Sequence, residues 1–238
     1  MTYTEPASHS TAAVTAVIAT FNPSDALLEN LNALKGQVGH IIIVDDGSDS
    51  DRTNIVLRKV EASHIQVLRV STNSGIAHSL NAGIAFAKSR WNPRFILTMD
   101  QDSQLAVNYV QTALAMYKSM SVSGITVGQV AAESTNGVPL PIYKQEKTYT
   151  IPFDPIQSGS LYPTDVFVKI GSFNEQLFID CVDIEYSLRL LQSGYKVIMA
   201  KGCNMKHALG DLNKITLIGH EISFRGTKLH YLTHKPFR

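Results

Sequence analysis

The chain predicts an α/β fold, a mainly parallel mixed sheet flanked by helices, and three observations carry that reading. Short, continuous apolar runs at 13–20, 41–44, 65–70 and 95–98 look like strands buried on both faces. Between them lie segments with apolar residues at helical spacing, such as Leu27, Leu28, Leu31 and Leu34, or Ile76, Leu80 and Ile84. Several of the strands run straight into loops rich in Asp, Asn, Ser and Gly, and the carboxyl ends of parallel strands are where open α/β sheets hold ligands.

Taken in order, a loose tail over 1–12 precedes the first strand. Phe21, Asn22 and Pro23 break that strand, and Ser24 or Asn22 can cap the helix that Gly36 and Gly39 end. Strand 41–44 leads into Asp45-Asp46-Gly47-Ser48-Asp49, where Gly47 permits a sharp turn and Ser48 or Asp49 can cap a helix over 53–62. Strand 65–70, a helix opened by residues 73–83 and the strand ending at Asp100 complete this half. Strand and helix in regular succession imply right-handed crossovers and a parallel sheet. The second half is less regular. It reads as a helix over 106–120, a strand over 125–131, a long mobile loop over 136–155 and a short helix ending at Gly171. A helix follows with Ile184, Leu188 and Leu191 turned inward; Gly194 stops it, and a strand runs over 197–200. Beyond Leu217 the pattern is mixed. We read 13–238 as one domain of two abutting Rossmann-like halves, 13–103 the nucleotide-binding half and 104–238 the half that carries the remaining chemistry.

Composition excludes some functions. With 238 residues, 44% hydrophobic and 17% charged, the chain can bury an ordinary globular core. A net charge of +1 argues against a broad electrostatic grip on nucleic acid. Two cysteines, Cys181 and Cys203, do not make a disulfide framework and point to a reduced, cytoplasmic setting. No run reaches the ~18–20 apolar residues of a membrane span, and the polar start lacks the pattern of a signal peptide. A peripheral contact with the inner face of the membrane stays open. There is no Walker phosphate loop, and no G-x-G-x-x-G follows the first strand, which disfavours ATPases and dinucleotide-dependent dehydrogenases.

Four groups of side chains carry possible chemistry. Asp100 and Asp102, one residue apart in a strand-end loop, can share a hard divalent cation that holds a diphosphate, or can be a solvated acidic turn. Asp45 can accept from a base imide or a ribose hydroxyl, or the acid pair can simply cap the next helix. Asp183 stands near a helix start, where the dipole favours an ionised acid, and can act as a general base if it faces the first acidic loop. Glu185 and Arg189, spaced i, i+4, read as an ion pair on that helix. A neutral His207 can complete the ligand set of an ion at Asp102.

Together these pieces resemble family 2 glycosyltransferases of the GT-A fold. The resemblance runs from about Val14 to Asp211 and rests on Asp45-Asp46-Gly47-Ser48, Asn73 to Gly83, Asp100-Gln101-Asp102-Ser103, Gly159-Ser160, Phe178 to Arg189, and His207 to Asp211 in that order. The bacterial rhamnosyltransferase branch is the most similar. It implies a nucleoside-diphosphate sugar donor, dTDP-L-rhamnose by preference, and a glycan or lipid-linked glycan acceptor. Thr20 and Asp45 would contact the nucleoside, while Asn73 and Asn81 would shape its pocket. Asp100 would reach the ribose or the metal, and Asp102 and His207 would ligate Mg²⁺ or Mn²⁺. Asp183 would be the base of an inverting displacement. Where relatives often carry an acid pair before that helix, this chain has Val182-Asp183, so the assignment rests on Asp183 alone. Members of the branch continue past the position of Lys235 to Arg238 into an aromatic and basic segment, so a chain truncated at its C-terminus is expected. A sugar-nucleotide pyrophosphorylase is a second reading, but it needs a Gly-rich basic loop after the first strand, and Ala19 to Pro23 is not one. A non-catalytic nucleotide-sugar binding module is a third.

Overall fold

A nine-stranded sheet runs through the protein in the order β3-β2-β1-β4-β11-β6-β12-β10-β9, as seen in a computed structural model that describes residues 10–60 and 65–207, together with short strands between 211 and 233. In the first half, β1 (Val14–Thr20), α1 (Ala26–Leu34), β2 (His40–Asp46), α2 (Asp51–Val60), β3 (Ile65–Val70), α3 (Ile76–Arg90) and β4 (Phe95–Asp100) alternate as the sequence predicts. β3, β2, β1 and β4 are mutually parallel. The continuous apolar runs have a simple cause. Ile41 and Ile43 enter one core with Leu27, Leu31, Leu34, Val56 and Val60, while Ile42 and Val44 enter the other with Ile76, Leu80 and Ile84. Helices cover both faces, so alternate residues of these strands meet two different cores and the run is apolar throughout.

The second half joins the same sheet. After β5 (Gln104–Leu105) come α4 (Tyr109–Val122), β6 (Val127–Ala131), β7 (Ser134–Thr135), β8 (Val138–Pro139), β9 (Ile142–Gln145), β10 (Thr150–Pro152) and β11 (Ser160–Pro163). Then follow α5 (Val166–Lys169), α6 (Val182–Gln192), β12 (Lys196–Met199) and β13 (Asn204–Lys206). β11 inserts antiparallel between β4 and β6, which makes the sheet mixed. A small second sheet, β5-β13-β7-β8, brings the chain back beside the end of β4.

Several expectations need correction. The stretch 136–155, expected to be a loop, holds β8, β9 and β10, and β9 and β10 form the edge of the large sheet. The four residues of β9 are all exposed, so no alternation of apolar and polar residues marks them as a strand. On α6 the buried face is Val182, Tyr186, Ser187 and Leu190, and Ile184, Leu188 and Leu191 are the exposed ones. Apolar residues stand on both sides of this helix. The inner side is decided by Tyr186, which packs against Phe173 at 4.5 Å and Tyr162 at 5.7 Å between ring centroids. Ser48 does not cap α2. Its hydroxyl turns back to Asp45, and Ser50 Oγ instead accepts from the Thr53 N–H. Helix α4 starts three residues later than expected. Residues 1–9 of the expected tail, 61–62 of the expected second helix, Leu209, Gly210 and 235–238 lie outside the described residues. No helix among the described residues is long and apolar enough to cross a membrane.

Candidate active site

The carboxyl ends of β1, β2 and β4 form one rim, and the predicted acids stand along it. Thr20 and Asp45 are register partners at the ends of β1 and β2. Thr20 Oγ1 donates to the Val44 carbonyl at 3.2 Å. Asp45 is fully buried, with Oδ1 accepting from Ser48 Oγ at 2.5 Å and Oδ2 facing Arg69 Nε at 3.1 Å. Burial raises the pKa of Asp45, while the Ser48 and Arg69 contacts pull it back down.

The neighbouring Asp46 has a different task, one the sequence did not reveal. Its two oxygens accept from the Ser74 and Gly75 N–H groups at 3.0 and 2.8 Å, at the N-terminus of α3, where no residue supplies its own side-chain cap. The turn holding Asn73 is thereby fixed to the end of β2. Asn73 Oδ1 is buried without a hydrogen-bond partner. Asn81, expected in the nucleotide pocket, spends its amide elsewhere. It bonds both the N–H and the carbonyl of Phe173 and the carboxylate of Glu175, which ties α3 to the segment before α6.

Asp100, Asp102 and His207 converge. Their candidate ligand atoms all lie within 4.8 Å of one another, with His207 Nδ1 3.8 Å from Asp100 Oδ2 and 4.0 Å from Asp102 Oδ1. β13 delivers His207 by pairing with β5, just after the acidic loop. Bonds of about 2.0–2.2 Å to one octahedral ion put neighbouring ligand atoms roughly 3 Å apart, so the three groups could hold a divalent cation after drawing in by about 1 Å.

The loop is held from several sides. Gln101 pairs its side chain with the Phe21 backbone, accepting at 2.9 Å and donating at 3.2 Å. Asn30, buried on α1, donates to the Asp100 carbonyl at 2.7 Å. Ser158 Oγ accepts from the Asp100 N–H at 3.0 Å and donates to Ser103 Oγ at 2.8 Å, and Ser103 meets His207 Nδ1 at 2.7 Å. Gln157 Nε2 donates to Asp100 Oδ1. Asn30, Gln157 and Ser158 escaped the sequence reading. Only Asn30 left a trace, as a polar residue on the core face of a helix.

Asp183 lies near enough to this cluster to act electrostatically on Asp100 and His207. It stands in the first turn of α6, half-buried, with Oδ1 accepting from the Ile184 N–H at 2.9 Å. Burial pushes its pKa up, against the pull of the Ile184 N–H. The helix is seated by the Tyr186 ring cluster and by Arg189, which donates to Glu185 and to the Ile170 and Ser172 carbonyls. The predicted Glu185–Arg189 pair is present, with a closest contact of 2.7 Å.

The site is short of positive charge. Burial, then Asp102, then Asp183 push the Asp100 carboxyl up to about 8. Burial also raises Asp102, against the attraction of His207, and lowers the His207 pKa, which favours its neutral, ligating form. A cluster of two acids and a histidine that resists full ionisation alone could hold a cation.

Comparison with known proteins agrees with this geometry. Residues 15–171 match the profile of "Glycosyl transferase family 2". The chain is 31% identical over 215 residues to the dTDP-rhamnosyl transferase RfbF of Shigella flexneri, covering 82% of this chain and 69% of that protein. It is 23% identical over 142 residues to the succinoglycan biosynthesis protein ExoO of Rhizobium meliloti (strain 1021), covering 58% of this chain but only 39% of the relative. Among solved structures, GalNAc-T7 with UDP, GalNAc and Mn²⁺ superposes with a TM-score of 0.64 at 14% identity, over 82% of this chain and 43% of that one. Residues 1–349 of S. aureus TarS in complex with UDP-GlcNAc give 0.62 at 17% identity, over 83% of this chain and 59% of that one. The chain belongs to glycosyl transferase family 2, a glycosyltransferase with the GT-A fold.

Proposed function

We propose that the protein transfers L-rhamnose from dTDP-L-rhamnose to a hydroxyl of a lipid-linked or cell-surface polysaccharide acceptor, inverting the anomeric carbon. What supports this reading is that Asp183, in the first turn of α6, acts electrostatically on Asp100 and His207 of the cluster at the end of β4. The donor follows from the dTDP-rhamnosyl transferase named among the relatives.

In this reading Thr20, Asp45 and the Asn73 turn border the nucleoside, and Asp100, Asp102 and His207 would hold Mg²⁺ or Mn²⁺. A divalent ion there would supply positive charge for the departing diphosphate. Asp183 takes the proton of the acceptor hydroxyl while that oxygen forms a bond to the anomeric carbon. The bond from that carbon to the phosphate oxygen breaks, and dTDP leaves with the electron pair. A carboxylate whose pKa is raised by burial is a better base than a solvated one. Placement in the cytoplasm, with peripheral contact at the membrane, suits an acceptor assembled on a lipid.

Asp183→Asn tests the reading. It should lower kcat with dTDP-L-rhamnose by about 10²–10⁴-fold, while donor-induced thermal stabilisation in Mn²⁺ stays at the wild-type level. Full turnover in the variant would remove Asp183 from the chemistry. Turnover only with a different nucleotide sugar would refute the donor.

A further inference from the structure

Gln157 stands between the two carboxylates on which the proposed reaction depends. It is buried in the turn that leads into β11, and its carbonyl accepts from Thr98 Oγ1 at 2.5 Å. Its main chain is near enough to the Asp183 carboxylate to lower that group's pKa. Its side-chain Nε2 donates to Asp100 Oδ1, while Asp100 Oδ2 is the oxygen turned toward His207. The two oxygens of Asp100 are thus divided, one fixed by an amide and the other left for an ion. The Gln157 Oε1 atom is buried with no hydrogen-bond partner. An orphaned buried acceptor costs stability, and an apolar side chain of the same length would avoid that cost. The use of the amide must then lie at its Nε2 end.

We propose that Gln157 is a positioning residue. Its side chain locks the Asp100 carboxylate to the turn whose main chain lies near Asp183, and so sets the spacing between the ion site and the base. The proposal rests on reading Asp100, Asp102 and His207 as the ion site and Asp183 as the base. The turn is itself braced. Tyr109 OH donates to the Gly159 carbonyl at 2.7 Å, and the Gly159 N–H donates to the Thr98 carbonyl at 2.8 Å. A rigid turn can transmit position from one carboxylate to the other, which a mobile one cannot.

The test uses the full chain with Mn²⁺ as the probe, its free concentration read by electron paramagnetic resonance. Gln157→Met, which keeps length and removes the amide, should weaken Mn²⁺ binding about 10–100-fold, the usual effect of losing a partner of a metal ligand. At saturating Mn²⁺ its kcat should fall about tenfold with the donor KM nearly unchanged, because the base and the ion site lose their fixed spacing. Its melting temperature in EDTA should equal or exceed that of the wild type. If the Met variant does not fold, Gln157→Asn, which withdraws the amide by one methylene, carries the same expectations. Asp102→Asn is run beside it. Wild-type Mn²⁺ affinity and kcat in the Gln157 variant, with binding lost in Asp102→Asn, overturn the role of Gln157 alone. Unchanged binding in Asp102→Asn overturns the ion site itself. A lower melting temperature with Mn²⁺ affinity intact marks Gln157 as merely structural and equally overturns the proposal.

Discussion

Asp100→Asn should make the metal-free protein more stable while removing its response to metal. In the folded chain the Asp100 carboxyl is pushed from 3.8 up to about 8, by burial first and then by Asp102 and Asp183. At about 1.36 kcal/mol per pKa unit the penalty for ionising it has a ceiling near 5–6 kcal/mol. Its side chain keeps 24% exposure, so water relieves part of that, and we take about 2–3 kcal/mol. The sign follows from linkage. Between the unfolded value near 4 and the folded value near 8 the native state holds the extra proton, so stability falls as pH rises through that window and is flat above it. Asn keeps the shape, and its Oδ1 can still accept from Gln157 Nε2. The variant should therefore match the wild type at pH 4 and exceed it above pH 8, by about 4–12 °C in melting temperature for a chain of this size. Thermal denaturation in EDTA across that pH range measures the gap. Adding Mn²⁺ should reverse the order, because only the wild type gains binding energy. A variant that is less stable than the wild type in EDTA at pH 8.5, or a gap that does not change with pH, would refute this account of the cluster.

Two further outcomes follow from the rim. Gly75 has φ +95°, and a Cβ there would stand 2.9 Å from Phe178 Cα and closer still to the Phe178 carbonyl oxygen, which accepts from the Ile76 N–H. Gly75→Ala should cost at least about 2 kcal/mol in denaturant unfolding and reduce turnover by shifting the segment that leads into Asp183; a loss near zero would show that this approach is loose. Arg69→Met leaves buried Asp45 with Ser48 alone on one oxygen. Urea unfolding at pH 7 should show a loss of about 1–3 kcal/mol, shrinking near pH 4 where Asp45 can take a proton; an equal loss at both pH values would mean that Arg69 acts through packing.

How legible each part was depends on whether its cause is local. Ile41 to Val44 announce a doubly covered strand because every residue in the run meets a core, and the acids at 45–46 and 100–102 are readable because strand ends in such sheets face a common rim. Helix α6 defeats the same logic. Ile184, Leu188 and Leu191 form as good a stripe as Val182, Tyr186 and Leu190, and the choice is made by Tyr162, Phe167 and Phe173, which arrive from other elements. The acid pair Asp45-Asp46 looks like one feature in the sequence, yet its members divide, one toward Arg69 and the other toward the start of α3, because neighbouring strand residues point to opposite sides. Gln157 and Ser158 carry no signal of their own. They matter because β11 runs antiparallel beside β4, which sets the turn before β11 against the carboxyl end of β4. A ligand set can thus be read from residues that follow strands, but the groups that orient it belong to whichever strand is threaded alongside. Changing the partners of Asp100 should accordingly alter ion affinity before it alters the fold, since those contacts act on one carboxylate while the sheet is held by two full cores.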